Sequence, residues 1–328
     1  MSNQQYKRIK ELEIKREKLD SEIREIKRDI RRSQKHMPSS LEIEQIAEYE
    51  RQLSEGLNPA PLVPRVDLER LVGEQNYERV LAFEEHNVLF ETILRGRIVV
   101  FKAINRRSLW QSFGQEYIEP ELLDFIDTID PGTSRYFDVG ASTGVFAIYA
   151  ALKGLQTLCF EPEIANFALL NENAFLNREG VNGKLKSFNV ALSENTEIEY
   201  MYIKEFEPAG HQKILGEAQS RGSREAFLPQ YAQAVLSTSL DRFVDCFSID
   251  PPTHMKIDVD GAELALLKGM TNILKGADLR AVFIEISDRD DTSQEALSLL
   301  QDHGFEIEKK IRVQNYFGDH NYILRRPN

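Results

Sequence analysis

Three short stretches of this chain carry residue types suited to chemistry. In "FDVGASTG" (137–144) an acid, Asp138, precedes Gly140, Ser142 and Gly144, with Ala141 between the first two. A turn of small residues lets a ligand approach backbone N–H groups, although helix–strand packing selects small residues as well. A dinucleotide fingerprint would put glycine at the positions of Ser142 and Val145. Ser142 would crowd a pyrophosphate, whereas a ligand without phosphates tolerates it. In "CFEP" (159–162), Glu161 lies 21 residues past Gly140. That places it to accept hydrogen bonds from both hydroxyls of a ribose. The alternative is an acid at a helix N-terminus, interacting with the helix dipole.

The third stretch is "MKIDVDGAE" (255–263), in which Lys256, Asp258 and Asp260 alternate with Ile257 and Val259. On a strand the three polar side chains would share one face. A central strand buried on both faces normally reads as an apolar run. Charges there are costly unless paired or functional. They therefore form either a structural ion-pair cluster or a reaction site, with Glu263 just beyond Gly261.

The elements that must position these residues follow from periodicity. From Tyr117 the chain alternates strands and helices: a helix opened by Pro120, then a strand at Tyr136–Val139 and a helix at Val145–Lys153. A strand at Thr157–Phe160, a helix from Pro162 to about Asn177 and a strand near Leu185–Val190 come next. After an irregular stretch, "HMKIDVD" reads as a strand, "AELALLKGMTNIL" as one helix and "AVFIEIS" as a strand. "TSQEALSLLQDHG" reads as a helix with a Thr292–Glu295 capping box and Gly304 at its C′ position. Two final strands flank "NYFGDHN" as a hairpin, which nucleotide dehydrogenases usually lack. The alternation predicts an α/β fold, a mostly parallel sheet with helices on both faces. In such sheets ligands bind beyond the carboxyl ends of the strands, where all three stretches lie.

The rest of the chain divides by composition. Residues 1–36 hold 12 Lys/Arg and 7 Asp/Glu, yet the whole chain of 328 residues has a net charge of -12. Ile9, Leu12, Leu19, Ile23, Ile26 and Ile30, with Arg16 at one seam position, fit heptad a and d sites. A coiled coil over 1–36 that makes a homo-oligomer is the expectation; a helix docked on its own domain is the alternative. Residues 37–115 hold a helical segment, the Pro-rich break "NPAPLVPRV" and a hairpin around Arg95-Gly96. Residues 116–328 form the α/β domain. The acidic balance argues against a nucleic-acid partner. No apolar run approaches the roughly 20 residues needed to span a bilayer. With only Cys159 and Cys246, and no signal peptide, a cytoplasmic location is expected.

Together the three stretches resemble the FkbM family of S-adenosylmethionine-dependent O-methyltransferases, from about Phe113 to Leu324. The resemblance rests on "FGQEYIEPELLDFI", "FDVGASTGVFAIYAA", "CFEPEIANFALLNENAFLN", "NVALSE", "STSLDRFV", "KIDVDGAELALLKGM" and "VFIEIS". Asp260 stands where the family more often has Glu, and Glu205–Ala234 looks like an insertion. The resemblance implies a Rossmann-like class I methyltransferase sheet with a closing antiparallel hairpin, preceded here by the coiled coil. It implies S-adenosyl-L-methionine as cofactor. Asp138 and the backbone of Gly140, Ala141, Ser142 and Gly144 would hold the methionine end. Glu161 would take the ribose, the Asn189–Ala191 turn would lie beside the adenine, and Asp258 would face the sulfonium.

Methyl transfer to a hydroxyl needs the oxygen about 3–3.5 Å from the methyl carbon, in line with the sulfur. A base must take the proton of so weak an acid. Asp260 and Glu263 are the candidates, with Lys256 and Glu285 orienting or balancing charge. Asp258, Asp260 and Glu285, joined by Asp288 or Asp290, offer oxygen ligands of a Mg²⁺ type, but no spacing fixes a metal site and none is predicted. His211 and His254 are further bases to weigh, and Trp110 and Tyr117 a candidate substrate wall. The expected acceptor is a sugar hydroxyl of a glycan, and that choice comes from the resemblance alone. The competing expectation is an inactive methyltransferase fold serving as a coiled-coil scaffold. The intact set of Asp138, Gly140, Gly144 and Glu161 argues against it.

Overall fold

The computed structural model describes residues 89–210, 213–218, 226–313 and 318–327, together with Arg51 and Gln75. The expected coiled coil, the helix at 41–53 apart from Arg51, the Pro-rich break and His211 lie outside the described residues. The chain divides into two units, 1–86 and 87–328, and the α/β fold belongs to the second.

This unit opens with a hairpin of β1 (Leu89–Leu94) and β2 (Arg97–Lys102). Arg95 and Gly96 both have positive φ, 46° and 80°, as a two-residue turn matching strand twist requires. Next come α1 (Arg106–Phe113), α2 (Gln115–Ile118) and α3 (Pro120–Asp127). The alternating part starts with β3 (Arg135–Val139), α4 (Val145–Leu152), β4 (Gln156–Phe160), α5 (Ile164–Leu176), α6 (Arg178–Val181) and β5 (Leu185–Phe188). Then come β6 (Ala191–Leu192), β7 (Glu197–Ile203), β8 (Lys213–Leu215), β9 (Tyr231–Thr238) and α7 (Leu240–Cys246). The chain continues through β10 (His254–Ile257), α8 (Glu263–Lys268), α9 (Thr271–Lys275), β11 (Ala281–Ser287) and α10 (Asp291–Asp302). It closes with β12 (Glu306–Arg312) and β13 (Asp319–Arg325).

The central sheet has the order β12-β13-β11-β10-β3-β4-β5. β13 runs antiparallel to both neighbours, and the remaining pairs are parallel. The expected closing hairpin is present, with its last strand inserted between β11 and β12. The chain builds outward from β3 in one direction, then returns to β10 on the other side. The crevice between β3 and β10 is therefore the switch point at which such sheets bind ligands.

Alternation along the strands splits the core in two. Phe137, Val139, Met255, Ile257, Val282 and Ile284 face α7, α8, α9 and α10. Tyr136, Ala281, Phe283 and Ile323 face α3 and α4. Leu94, Val99 and Phe101 of the hairpin join this second cluster, so the hairpin expected within 37–115 belongs to the α/β unit. Each fully buried Val, Leu, Ile, Phe or Met side chain among them contributes roughly 1.5–3 kcal/mol. Among the described residues no helix is long and apolar enough to cross a membrane.

Three expectations are corrected. The irregular stretch after Val190 is a second sheet, of order β6-β9-β7-β8, to which residues 213–215 and 231–234 of the 205–234 segment contribute. The single helix over 262–274 is broken into α8 and α9 at Gly269. A Cβ there would lie 2.0 Å from the Ser193 carbonyl oxygen, so the second sheet's connection presses against bare backbone. The last long helix is capped by Asp290, whose side chain accepts the Ser293 N–H. Thr292 lies inside the first turn, and Glu295 instead pairs with Lys268 at 3.4 Å, so the capping box does not form.

Candidate active site

The turn after β3 is built by backbone geometry. Gly140 and Gly144 have φ of 77° and 85°, and Ser142 shares the left-handed region at 49°. For Ser that conformation is uncommon and is held by its surroundings. Its N–H donates to Glu161 Oε2 at 2.7 Å, and its hydroxyl and that of Thr143 meet Gln111 of α1 at 3.3 and 2.9 Å. A Cβ on Gly140 would lie 1.8 Å from the Asp258 carbonyl oxygen, so only glycine fits where the two strand ends cross.

Glu161 follows β4 and is anchored twice. Besides Ser142, the Glu163 N–H donates to its Oε1 at 2.9 Å. The helix-terminal role that competed for Glu161 is filled by Glu163, whose side chain accepts the Ala165 and Asn166 N–H groups of α5. An ionised carboxylate has about four lone-pair sites. Two backbone donors therefore leave Glu161 capacity for two ribose hydroxyls. Burial pushes its pKa up to about 7, against the Glu163 N–H and the charge of Lys213. The Asn189 side-chain amide donates to the carbonyls of Glu161 and Pro162, both at 2.9 Å. It fixes the same turn from the far side, while Ala191 is buried at the start of β6.

On the other side of the crevice lies a charge cluster. Lys256 of β10 is in register with Asp138 of β3, and both are buried. The Lys256 ammonium donates to the Gly140 carbonyl at 2.6 Å and lies 3.4 Å from each of Asp138 and Asp258. Burial opposes its charge, yet Asp138, Asp258 and Glu119 together hold its pKa above the ordinary lysine value. It is a fixed cation, not a proton acceptor. Asp138 is 1% exposed, and its Oδ1 meets the Lys256 ammonium at ion-pair distance with no closer hydrogen-bond donor.

The fourth member of the cluster lies outside the three chemical stretches, in the segment "FGQEYIEPELLDFI" that precedes β3. Glu119 precedes α3, is 8% exposed, and makes no capping hydrogen bond with its side chain. Its electrostatic partners are Asp258, Lys256, Glu121 and Asp138. Burial first, then repulsion from Asp258, pushes it up to about 8, against the pull of Lys256. The only local signal is "YIEPELL", where an acid before Pro reads as the start of a helix.

The expected catalytic residues are distributed unevenly. β10 ends at Ile257, so the alternation stops, and Asp260 sits in a turn at φ 44° beside Gly261 rather than on the strand face. Glu263 is 1% exposed and accepts the Gly261 N–H at 3.1 Å, which ties that turn to the start of α8. Glu285 pairs across from Asn321 of β13, one residue past the Ile257–Ile284 pair and so level with Asp258. Asn321 in turn donates to Glu121 at 2.8 Å. His254 lies at the amino end of β10, away from the crevice, against Thr253 and Phe125; burial lowers its pKa to about 4. Asp288 is taken up by Lys310, His320 and Tyr322. No group of acids, histidines and cysteines among the described residues is arranged to hold a metal. Trp110 and Tyr117 are exposed, and Trp110 lines an open apolar cleft with Phe90, Arg106, Leu109 and Phe113.

These features fit an uncharged ribose and a cationic centre side by side. The turn offers close backbone approach, Glu161 offers ribose acceptors, and the cluster of three carboxylates around one ammonium offers surplus negative charge.

Solved structures similar to this chain include a methyltransferase FkbM from Methylobacillus flagellatus KT, at 18% identity and a TM-score of 0.39. That match covers 58% of this chain and 43% of the other, so this chain spans under half the length of that protein. Another is magnesium protoporphyrin IX methyltransferase from Synechocystis PCC 6803 with bound SAM, at 9% identity and a TM-score of 0.39, covering 82% of this chain and 100% of that one. No curated protein matches the chain. The model of the methyltransferase FkbM domain matches residues 138–307, from the acid before the turn into β12. That is more than half of the chain, which carries a methyltransferase domain and belongs to the FkbM methyltransferase family.

Proposed function

We propose that this domain transfers a methyl group from S-adenosylmethionine to a hydroxyl of a carbohydrate acceptor. The observation that carries the reading is Glu161, a carboxylate held by the Ser142 and Glu163 N–H groups beside a turn that only glycine can make at 140. Bound there, S-adenosylmethionine supplies an electrophilic methyl on a positively charged sulfur. Asp138 and the backbone from Gly140 to Gly144 hold the methionine end, and Glu161 accepts from the ribose. Asn189 and Ala191 set the wall on the adenine side. Asp138 and Asp258 give the sulfonium a negative surround, to which Glu119 adds when ionised, while Lys256 keeps their repulsion in check.

The proton of the acceptor hydroxyl needs a base near the end of β10. Asp260 is one candidate. Glu119 joins it, since a carboxyl near pH 8 matches the task of a base better than an ordinary one. Glu263 serves the turn instead, and Glu285 lies level with Asp258 to orient the acceptor. The sugar itself rests on the family resemblance. Self-association through residues 1–36 is part of the same proposal; light scattering of a chain lacking them should give a smaller mass per particle.

Transfer of a labelled methyl group from S-adenosylmethionine to a panel of glycosides tests the function. Incorporation into glycosides with free hydroxyls, absent when those hydroxyls are blocked, is expected. Incorporation only into amine or carboxylate acceptors would overturn the hydroxyl assignment.

A further inference from the structure

The segment at 205–234, which reads as an insertion, reaches both sides of the cofactor turn. On one side, Arg107 of α1 pairs with Glu205 at 2.5 Å and Glu207 at 2.8 Å, and Asn105 donates to the Pro208 carbonyl at 2.9 Å. On the other side, the Ala209 N–H donates to Asn166 at 2.8 Å. Gln233 accepts the Ile164 N–H at 3.1 Å and donates to the Pro162 carbonyl at 2.7 Å. Between these anchors Lys213, the first residue of β8, is 8% exposed. Its ammonium donates to Glu163 Oε2 at 2.7 Å and to Asn166 Oδ1 at 3.1 Å. Glu163 is 1% exposed, so the pair is shielded from solvent on both sides.

We propose that Lys213 is a positioning residue of the cofactor site: it fastens the insertion to the Glu161–Glu163 turn and sets a positive charge against the ribose-binding carboxylate. The proposal rests on the cofactor reading of Glu161. Its logic is electrostatic. Glu163 spends its carboxylate on the N-terminus of α5 and would repel Glu161 two residues away. Lys213 offsets that repulsion from a different part of the chain. The charged and titratable groups facing Glu161 are Glu163 from its own turn, Lys213 from β8 and the buried Cys159 of β4. Of these only Lys213 favours the ionised form that can accept from two hydroxyls. The insertion is thereby part of the binding site.

Calorimetric titration of S-adenosylhomocysteine into the full chain between pH 6 and 9 tests this, with thermal unfolding of each variant to verify folding. In the unaltered protein affinity should fall as pH drops through about 7, where Glu161 takes up a proton. In Lys213→Met the same fall should begin about one pH unit higher. Binding should therefore weaken by about fivefold at pH 7 and about tenfold at pH 6, and match the unaltered protein near pH 9. Lys213→Arg, which keeps the charge, should restore the original profile. If Lys213→Met does not fold, the double variant Lys213→Gln/Glu163→Gln removes both charges together and should shift the profile the same way by less. A loss of affinity equal at every pH, or an unchanged profile, overturns the proposal while leaving the cofactor reading intact. Absence of binding to the unaltered protein at every pH overturns both.

Discussion

The two sides of the crevice between β3 and β10 are built by opposite means. The turn from Gly140 to Gly144 is held by backbone: three residues at positive φ, two N–H groups on Glu161, and a glycine that no side chain can replace. The cluster around Lys256 is held by charge, with Asp138, Asp258 and Glu119 gathered on one buried ammonium from three parts of the chain. The first is set by backbone conformation, with Glu161 its one titrating anchor. The second depends on which of its members are ionised. An arrangement of this kind suits a reaction in which a bound positive charge disappears: the frame stays fixed while the charges around it adjust.

Removing the cation is the severest way to break that contrast. Lys256→Met leaves two carboxylates beside a buried site without their partner and should cost about 3–5 kcal/mol of stability. Urea unfolding would read this as a lower midpoint. If the midpoint is unchanged, charge does not hold this side together.

A smaller effect is expected where the two regions touch. Gly140→Ala forces a Cβ against the Asp258 carbonyl and a strained φ, costing about 1–3 kcal/mol and weakening cofactor binding together with stability. Loss of one without the other would mean that the two regions are not mechanically joined at that point.

The subtlest prediction concerns Glu119. Its pKa in the fold is raised to about 8 from the ordinary 4.5, chiefly by burial. The fold therefore binds its proton more tightly than the unfolded chain does. The stability from that proton is fully present below about pH 4.5 and lost as pH rises through about 8. Glu119→Gln, which is neutral throughout, should flatten the fall of the thermal midpoint between pH 5 and 9. Parallel curves for the two proteins would show that Glu119 is ionised in the fold at neutral pH.

The same contrast explains what could be read from the residues. The strands β3, β4, β10 and β11 and the turn between 140 and 144 are local patterns, visible in spacing alone. Glu161 is legible because its distance from Gly140 is set by one strand–helix–strand passage. Glu119 is not, because its partners Asp138, Lys256 and Asp258 are brought to it only by folding. The second sheet escapes for a related reason. In β7, Ile198 and Tyr200 are exposed while Met201 and Ile203 are buried, so apolar residues on both faces blur the period of two. Its partner β9 lies far along the chain, beyond the insertion. The break at Gly269 depends on the Ser193 carbonyl, which no window around Gly269 contains.

The central claim is that Glu161 binds the ribose of S-adenosylmethionine. Calorimetric titration of S-adenosylhomocysteine at pH 8, into the unaltered chain and into Glu161→Ala, tests it most directly. One ligand per chain is predicted for the former, and affinity lower by at least about tenfold for the latter, as the loss of hydrogen bonds to a charged acceptor requires. Equal affinities, or no binding to the unaltered chain, would contradict it.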